Sequence, residues 1–324
     1  MKNKDDFKID LVYTWVDGSD PKWLEKKKQY LSELKEEIAD FPCRFIDNDE
    51  LKYSLRSVEK YASWINHIYI ITDEQVPVWL NTDNPKITIV DHKEIMPSEV
   101  LPTFNSLAVE YCMHKIPNLS EYFLYANDDY YFADYVTPDF FFRKDKKFYC
   151  RFEKLIKNAT PSHFLNKINN SVNLLHKKGY KFPLYITHHN IDSFRKSFIE
   201  KCQKEFGDEI YKTIKSRFRS SEHLQRSLYQ YYAIAINEGV FIKVQEYSQL
   251  MPWFKRLIAK IKKKKFCKDS LFIYLNPSKA KGRVKKHHPK LLCINDGEAT
   301  TDEDRVAIKK FLEEYFPEKS AFEK

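Results

Sequence analysis

One stretch limits the folds open to this chain more than any other. Tyr122-Phe123-Leu124-Tyr125-Ala126 is a short apolar and aromatic run of the kind that makes a buried strand, and it stops at Asn127-Asp128-Asp129 before resuming as Tyr130-Tyr131-Phe132. Two adjacent carboxylates between aromatic runs must stay solvated, be paired, or bind a cation. Ligands of open α/β sheets bind at the carboxyl ends of strands. The pair there points to a hard-metal site for Mg2+ or Mn2+ that bridges carboxylates to a phosphorylated substrate. An acidic turn with aromatic flanks is the plainer alternative. The Tyr130-Tyr131-Phe132 run itself reads as core before sugar platform.

The flanking sequence supplies the sheet. Ile9 to Val16, Ile68 to Thr72 and Lys86 to Val90 read as strands, and Lys22 to Ile38, Leu51 to Ala62 and Asn105 to His114 as helices. The helix from Leu51 is marked by Leu51, Leu55, Val58 and Ala62, and its acids sit at the amino end where the dipole favours them. Strand, helix, strand, strand, helix, strand implies an α/β fold with a mostly parallel sheet. It also places Asp17, Asp73 and Asn127 to Asp129 at strand ends facing one crevice.

Beyond about residue 140 the pattern changes. Asn158 to Lys178 is polar, Ile191 to Phe206 and Glu222 to Asn237 read as helices, and Phe266 to Leu275 as a strand pair. After Leu291 to Gly297 comes a last helix, with Thr301 and Asp304 as a capping box. The expected division is a 1–140 α/β core, a helical and basic 141–290 region or insertion, and a 291–324 return to the core with a C-terminal helix.

Charge sharpens this division. The net charge is +9, yet 255–268 holds eight Lys or Arg without an acid, and 279–290 adds six more. Without those segments the chain is slightly acidic, so the partner of that region is anionic. If 253–266 is helical, Trp253, Leu257, Ile258 and Ile261 share a face, as in a helix lying on an anionic membrane; a core-packed helix with a solvated lysine face is the alternative. Six scattered cysteines with no Cys-x-x-Cys pair suit a reducing cytoplasm and argue against structural zinc. No run approaches a membrane span, and the charged first six residues leave no room for a signal peptide, so a cytoplasmic location is expected. Hydrophobic content of 43% places the chain among globular proteins.

Asp10 to Pro21 (DLVYTWVDGSDP) resembles the first conserved block of the Stealth proteins, and Arg44 to Ser57 (RFIDNDELKYSLRS), continuing to Ile70-Ile71-Thr72-Asp73, resembles the second. His188 with Phe218-Arg219 is similar to the third block and Cys293-Ile294-Asn295-Asp296 to the fourth; the tail Phe316 to Glu323 also fits. The resemblance implies a nucleotide-diphosphosugar-transferase-like (GT-A or Rossmann-like) core. It implies transfer of a hexose-1-phosphate or N-acetylhexosamine-1-phosphate from a UDP-sugar to a glycan hydroxyl, with UMP released, in bacterial surface polysaccharide synthesis.

Under that resemblance Asp17, His188, Arg219 and Asp296 are the catalytic candidates. Asp17, Gly18, Arg44, Asn48, Asp49 and Arg56 are the donor or phosphate-binding candidates, and Asp128, Asp129, Asn295 and Asp296 the metal candidates. The guanidinium fork suits phosphate oxygens and an imidazole suits proton removal near neutral pH. The plainer readings are a helix-capping turn at Asp17, a solvated helix residue at Arg56, and a hydrogen-bonded structural histidine. His189-Asn190 stands where relatives place a proline two residues after the histidine, so His188 and His189 compete for the role. The partners expected are the UDP-sugar, a glycan acceptor that a lipid carrier would hold at the membrane, and no nucleic acid. A conventional glycosyltransferase releasing UDP is one rival; a basic membrane- or nucleic-acid-binding module, which leaves the acidic crevice unexplained, is the other.

Overall fold

Strands β1 (Ile9–Thr14), β2 (Ile68–Thr72) and β4 (Tyr122–Asn127) are buried along almost their whole length, which a sheet covered on both faces requires, whereas β3 (Ile87–Asp91) has the mixed burial of an edge. The computed structural model describes residues 7–32, 42–158, 160, 162–182, 184–244, 269–274 and 277–324. The principal sheet has the order β3-β2-β1-β4-β8, its first four strands parallel and β8 (Asp192–Arg195) antiparallel to β4. This is the mostly parallel α/β architecture expected.

Helix α1 (Pro21–Leu31) opens after Asp20, whose carboxylate accepts from the amides of Lys22 and Trp23. Helix α2 (Glu50–Tyr61) buries Leu51, Leu55 and Val58, and Ser57 Oγ accepts the Phe132 amide at 3.0 Å. That ties α2 to β5 (Tyr130–Phe132), the continuation of β4 beyond the acidic turn. Strand β5 belongs to a second sheet, β10-β11-β5, with β10 (Ser270–Tyr274) parallel to β11 (Leu291–Asn295). Asn127, Asp128 and Asp129 therefore sit where the chain passes from one sheet to the other. A third sheet, β7-β6-β9, joins β7 (Tyr185–Thr187), β6 (Phe148–Leu155) and β9 (Gly239–Lys243).

The remaining helices are α3 (His92–Ile95), α4 (Ser106–Cys112), α5 (His163–Lys177), α6 (Lys196–Ile214), α7 (Ser227–Ala235), α8 (Pro277–His287) and α9 (Asp302–Tyr315). The capping box at Thr301 and Asp304 is present at α9. Tyr130, Tyr131 and Phe132 are fully buried, as core.

Three expectations change. The 141–290 region is not a separate helical unit, because β8 closes the principal sheet and β10 builds the second. The helix expected from Ile191 begins only at Lys196, because residues 192–195 pair with the otherwise open edge of β4. The polar 158–178 stretch contains α5, a 15-residue helix with Leu165, Ile168, Val172 and Leu175 buried. The basic 255–268 segment and the end of the helix expected over 22–38 lie outside the described residues. In α8 Ala280 and Val284 are buried, while Lys281, Lys285 and Lys286 are exposed, a packed helix with a lysine face.

Candidate functional site

Thr14 and Asn127 end neighbouring strands, and the pocket at the carboxyl edge of the principal sheet opens between them. Tyr125 OH lies 2.8 Å from Thr14 Oγ1 and donates to Asn127 Oδ1 at 2.9 Å, fixing the floor. The lining includes Asp128, Arg44 and Arg219, brought from three separate parts of the chain.

One wall is acidic. Burial, then Asp129, Glu50 and Asp47, hold the Asp128 carboxyl well above the usual range. Asp129 is pushed up to about 6 by burial, although Asn295 Nδ2 (3.0 Å) and Cys293 Sγ (3.5 Å) donate to its Oδ2. Its Oδ1 is buried with no partner among the described residues. Burial raises Glu50 to about 8, against two bonds from Asn48, and raises Asp47 too. Such crowding favours protonation or a bound cation. Among the described residues no group of three or more His, Cys, Asp or Glu is arranged to hold a metal alone. Mg2+ takes one or two carboxylates plus substrate phosphate and water, so Asp128 and Asp129, with an orphaned oxygen, fit that partial set.

The opposite wall is basic. Arg219 reaches Ser106 Oγ, and burial lowers its affinity for its proton. Behind it Arg226 bridges Glu110 (2.9 Å) and Asp192 (2.8 Å) and stacks 4.3 Å over the Tyr125 ring. His189 stands edge-on to Tyr130 with ring centres 5.3 Å apart. Burial, then Arg226, His188 and Arg219, hold its imidazole down at about 3, hence neutral. His188 is committed elsewhere: Nε2 to Ser270 Oγ at 2.9 Å and Nδ1 to Glu153 at 3.3 Å.

The candidates thus divide. Asp128, Arg44 and Arg219 meet in the pocket, with Asp129 and Asn295 joined beside it. Asp296 is paired with Arg305 at 2.8 Å. Asp17 Oδ1 accepts from the Ser19 amide and hydroxyl, a turn-forming role. Gly18 is required sterically: a Cβ there would stand 2.2 Å from the Phe45 carbonyl oxygen, which the Gly18 amide bonds at 2.9 Å. It thereby seats the turn that carries Arg44. Asp49 pairs with Lys52 and Lys309, and Asn48 with Glu50. Arg56 does not line the pocket: it donates two hydrogen bonds to the Glu323 carboxylate, each 2.8 Å, and one to the Phe316 carbonyl, anchoring the tail. Asp73 is held by Lys26 at 3.0 Å. Lys167, His223, Glu110 and Arg226 were missed; the readable signal was a lysine within the Leu165, Ile168, Val172 and Leu175 helical spacing.

A parallel sheet with acids and guanidinium groups across one pocket at its carboxyl edge defines an α/β protein built to bind a ligand there. The comparisons say which. Residues 44–150 match the model of Stealth protein conserved region 2, residues 7–35 that of conserved region 1, and residues 282–324 that of conserved region 4. The chain belongs to the Stealth family. It is 33% identical to the capsular polysaccharide phosphotransferase SacB of Neisseria meningitidis serogroup A, over 98% of this chain and 57% of that protein. It is 32% identical to the exopolysaccharide phosphotransferase SCO2594 of Streptomyces coelicolor, over 98% and 52%. With the exopolysaccharide phosphotransferase cps2G of Lactiplantibacillus plantarum the identity is 32% and the coverage 98% and 97%. The chain thus spans little more than half the length of the first two. A solved structure of the galactosyltransferase LgtC with donor and acceptor sugar analogues aligns over 95% of both chains, with a TM-score of 0.46 and 9% identity.

Proposed function

We propose that this chain is a sugar-1-phosphate transferase of surface polysaccharide synthesis. It moves hexose-1-phosphate or N-acetylhexosamine-1-phosphate from a UDP-sugar to a glycan hydroxyl. The observation that carries the reading is the meeting of Asp128 with Arg44 and Arg219 in one pocket; relatives named as polysaccharide phosphotransferases support it.

The acceptor oxygen attacks the sugar-bearing phosphorus and forms a new P–O bond. The bond from that phosphorus to the oxygen bridging the two phosphates breaks, and UMP leaves with the bridging oxygen. Arg44 and Arg219 face the charge that develops on the phosphoryl oxygens. The acceptor proton goes to an imidazole of the His188 and His189 pair, of which His188 is oriented by Ser270 and Glu153. Asp128 and Asp129 would hold Mg2+ or Mn2+, which when bound neutralises phosphoryl charge. Trp23 and His92 line the pocket, and Trp23 Nε1 and His92 Nδ1 are buried with no partner among the described residues, which suits the nucleoside.

The test is incubation with a panel of UDP-sugars, acceptor glycan and Mg2+. UMP and a phosphodiester seen by phosphorus NMR are expected; UDP with a phosphate-free glycoside would make the chain a conventional glycosyltransferase. His188→Ala and His189→Ala assign the base: the variant that loses turnover with little change in donor KM marks the imidazole that takes the proton.

A further inference from the structure

Lys167 is a buried lysine, 4% exposed. Its helix α5 is latched to the loop that follows Arg219. Asn170 Nδ2 donates to the carbonyls of Ser221 (3.0 Å) and His223 (3.2 Å), and Ser171 Oγ accepts the Gln225 amide at 2.9 Å. Positions 167, 170 and 171 share one helical face, and the loop they hold reaches the pocket, where the lining residue Asn105 lies 3.4 Å, Nδ2 to Nδ1, from His223. Among the described residues no carboxylate lies within ion-pair distance of Lys167. The one acid that acts on it, Glu110, already pairs with Arg226 at 2.9 Å.

His223 adds a donor. It is 8% exposed, and its Nδ1 accepts the Ser220 amide at 3.2 Å, so the neutral ring carries its proton on Nε2, which has no protein partner among the described residues. Burial, then Lys167 and Arg219, hold this imidazole down at about 4. Burial, then Arg219 and Arg44, bring the Lys167 ammonium down to about 7, with Glu110 opposing. A buried ion without a counter-ion is costly, and removing its charge or adding an anion relieves that cost.

We propose that Lys167 and His223 complete, with Arg44 and Arg219, a cradle for a phosphoryl anion. Naming that anion as the diphosphate of the donor rests on the transfer reading above; the phosphodiester of an acceptor is the same chemistry from the other substrate. The cradle itself rests on the packing.

The experiment compares wild type, Lys167→Met, Lys167→Gln, Lys167→Arg and the control Lys177→Met, which is exposed on the same helix. Calorimetric titration with inorganic pyrophosphate in chelator reads the site without turnover. Lys167→Met and Lys167→Gln are expected to weaken binding by about tenfold or more, Lys167→Arg by less, and Lys177→Met not at all. The anion-free thermal midpoint of Lys167→Met should hold or rise, which a merely structural lysine would not allow. In turnover, a raised KM for the UDP-sugar assigns the donor diphosphate. A raised KM confined to an acceptor that carries a phosphodiester assigns the acceptor. Wild-type pyrophosphate affinity in both the Met and Gln variants, or no binding by wild type, overturns the cradle. Release of UDP would overturn the transfer reading while leaving the pyrophosphate result standing.

Discussion

The two walls of the pocket carry opposite charge and are built in opposite ways. The acidic wall comes from residues close together in sequence, Asp47 to Glu50 and Asp128 to Asp129, and its carboxyls crowd one another. The basic wall is gathered from Arg44, Lys167, Arg219 and Arg226, and Arg226 has a counter-ion on each side, Glu110 and Asp192. Arg226 therefore serves the scaffold, and Lys167, with no carboxylate in ion-pair reach among the described residues, is left to a ligand. The contrast teaches that pairing, more than charge, separates structural from functional ions here.

The largest effect should come from the acidic wall. Asp128→Asn or Asp129→Asn is expected to lower turnover on the order of a hundredfold or more, with the thermal midpoint held or raised because mutual repulsion is removed. Full activity in excess chelator would remove the metal from the account. Next, Arg219→Lys should cost about tenfold or more in kcat/KM, since a point charge does not replace the planar fork. Arg56→Met should leave the donor KM alone and lower stability by roughly 2 kcal/mol, since it cuts the Glu323 pair. A large donor effect at Arg56 would erase the distinction between paired and unpaired cations.

A smaller effect sharpens it. The Lys167 pKa is lowered on folding, so between about 7 and its ordinary 10.5 the unfolded chain binds more protons than the folded one. Stability from this group therefore rises with pH across that window, by up to about 1.4 kcal/mol per pH unit. The difference in unfolding free energy between wild type and Lys167→Met should show that slope, and pyrophosphate should reduce it. A flat difference would mean the lysine is solvated. Least of all, Asp17→Asn keeps the acceptor for Ser19 and should change turnover by less than about threefold; a large loss would return Asp17 to the site.

These contrasts follow what the sequence could express. The succession of strands and helices and the acidic turn were legible because they depend on local periodicity and on Asn127 to Asp129 being contiguous. Arg44 and Arg219 were legible only through family-like blocks. Arg56 misled because its block position says nothing of Glu323, which lies 267 residues away. Lys167 was passed over because Asn158 to Lys178 looks polar, and its helix becomes evident only from the buried Leu165, Ile168, Val172 and Leu175 spacing. The identity of the imidazole was illegible because His188 and His189 follow the end of β7 in a bend, where no strand or helix periodicity fixes the direction of either side chain.

The central claim is that the bond broken joins phosphorus to the oxygen bridging the two phosphates, not sugar carbon to oxygen. A UDP-sugar labelled with oxygen-18 between the sugar carbon and its phosphorus tests this directly, read by phosphorus NMR and mass spectrometry. The label is predicted to remain between sugar and phosphorus in the polysaccharide product, with unlabelled UMP released. Label in released UDP, with none in the product, would contradict the account.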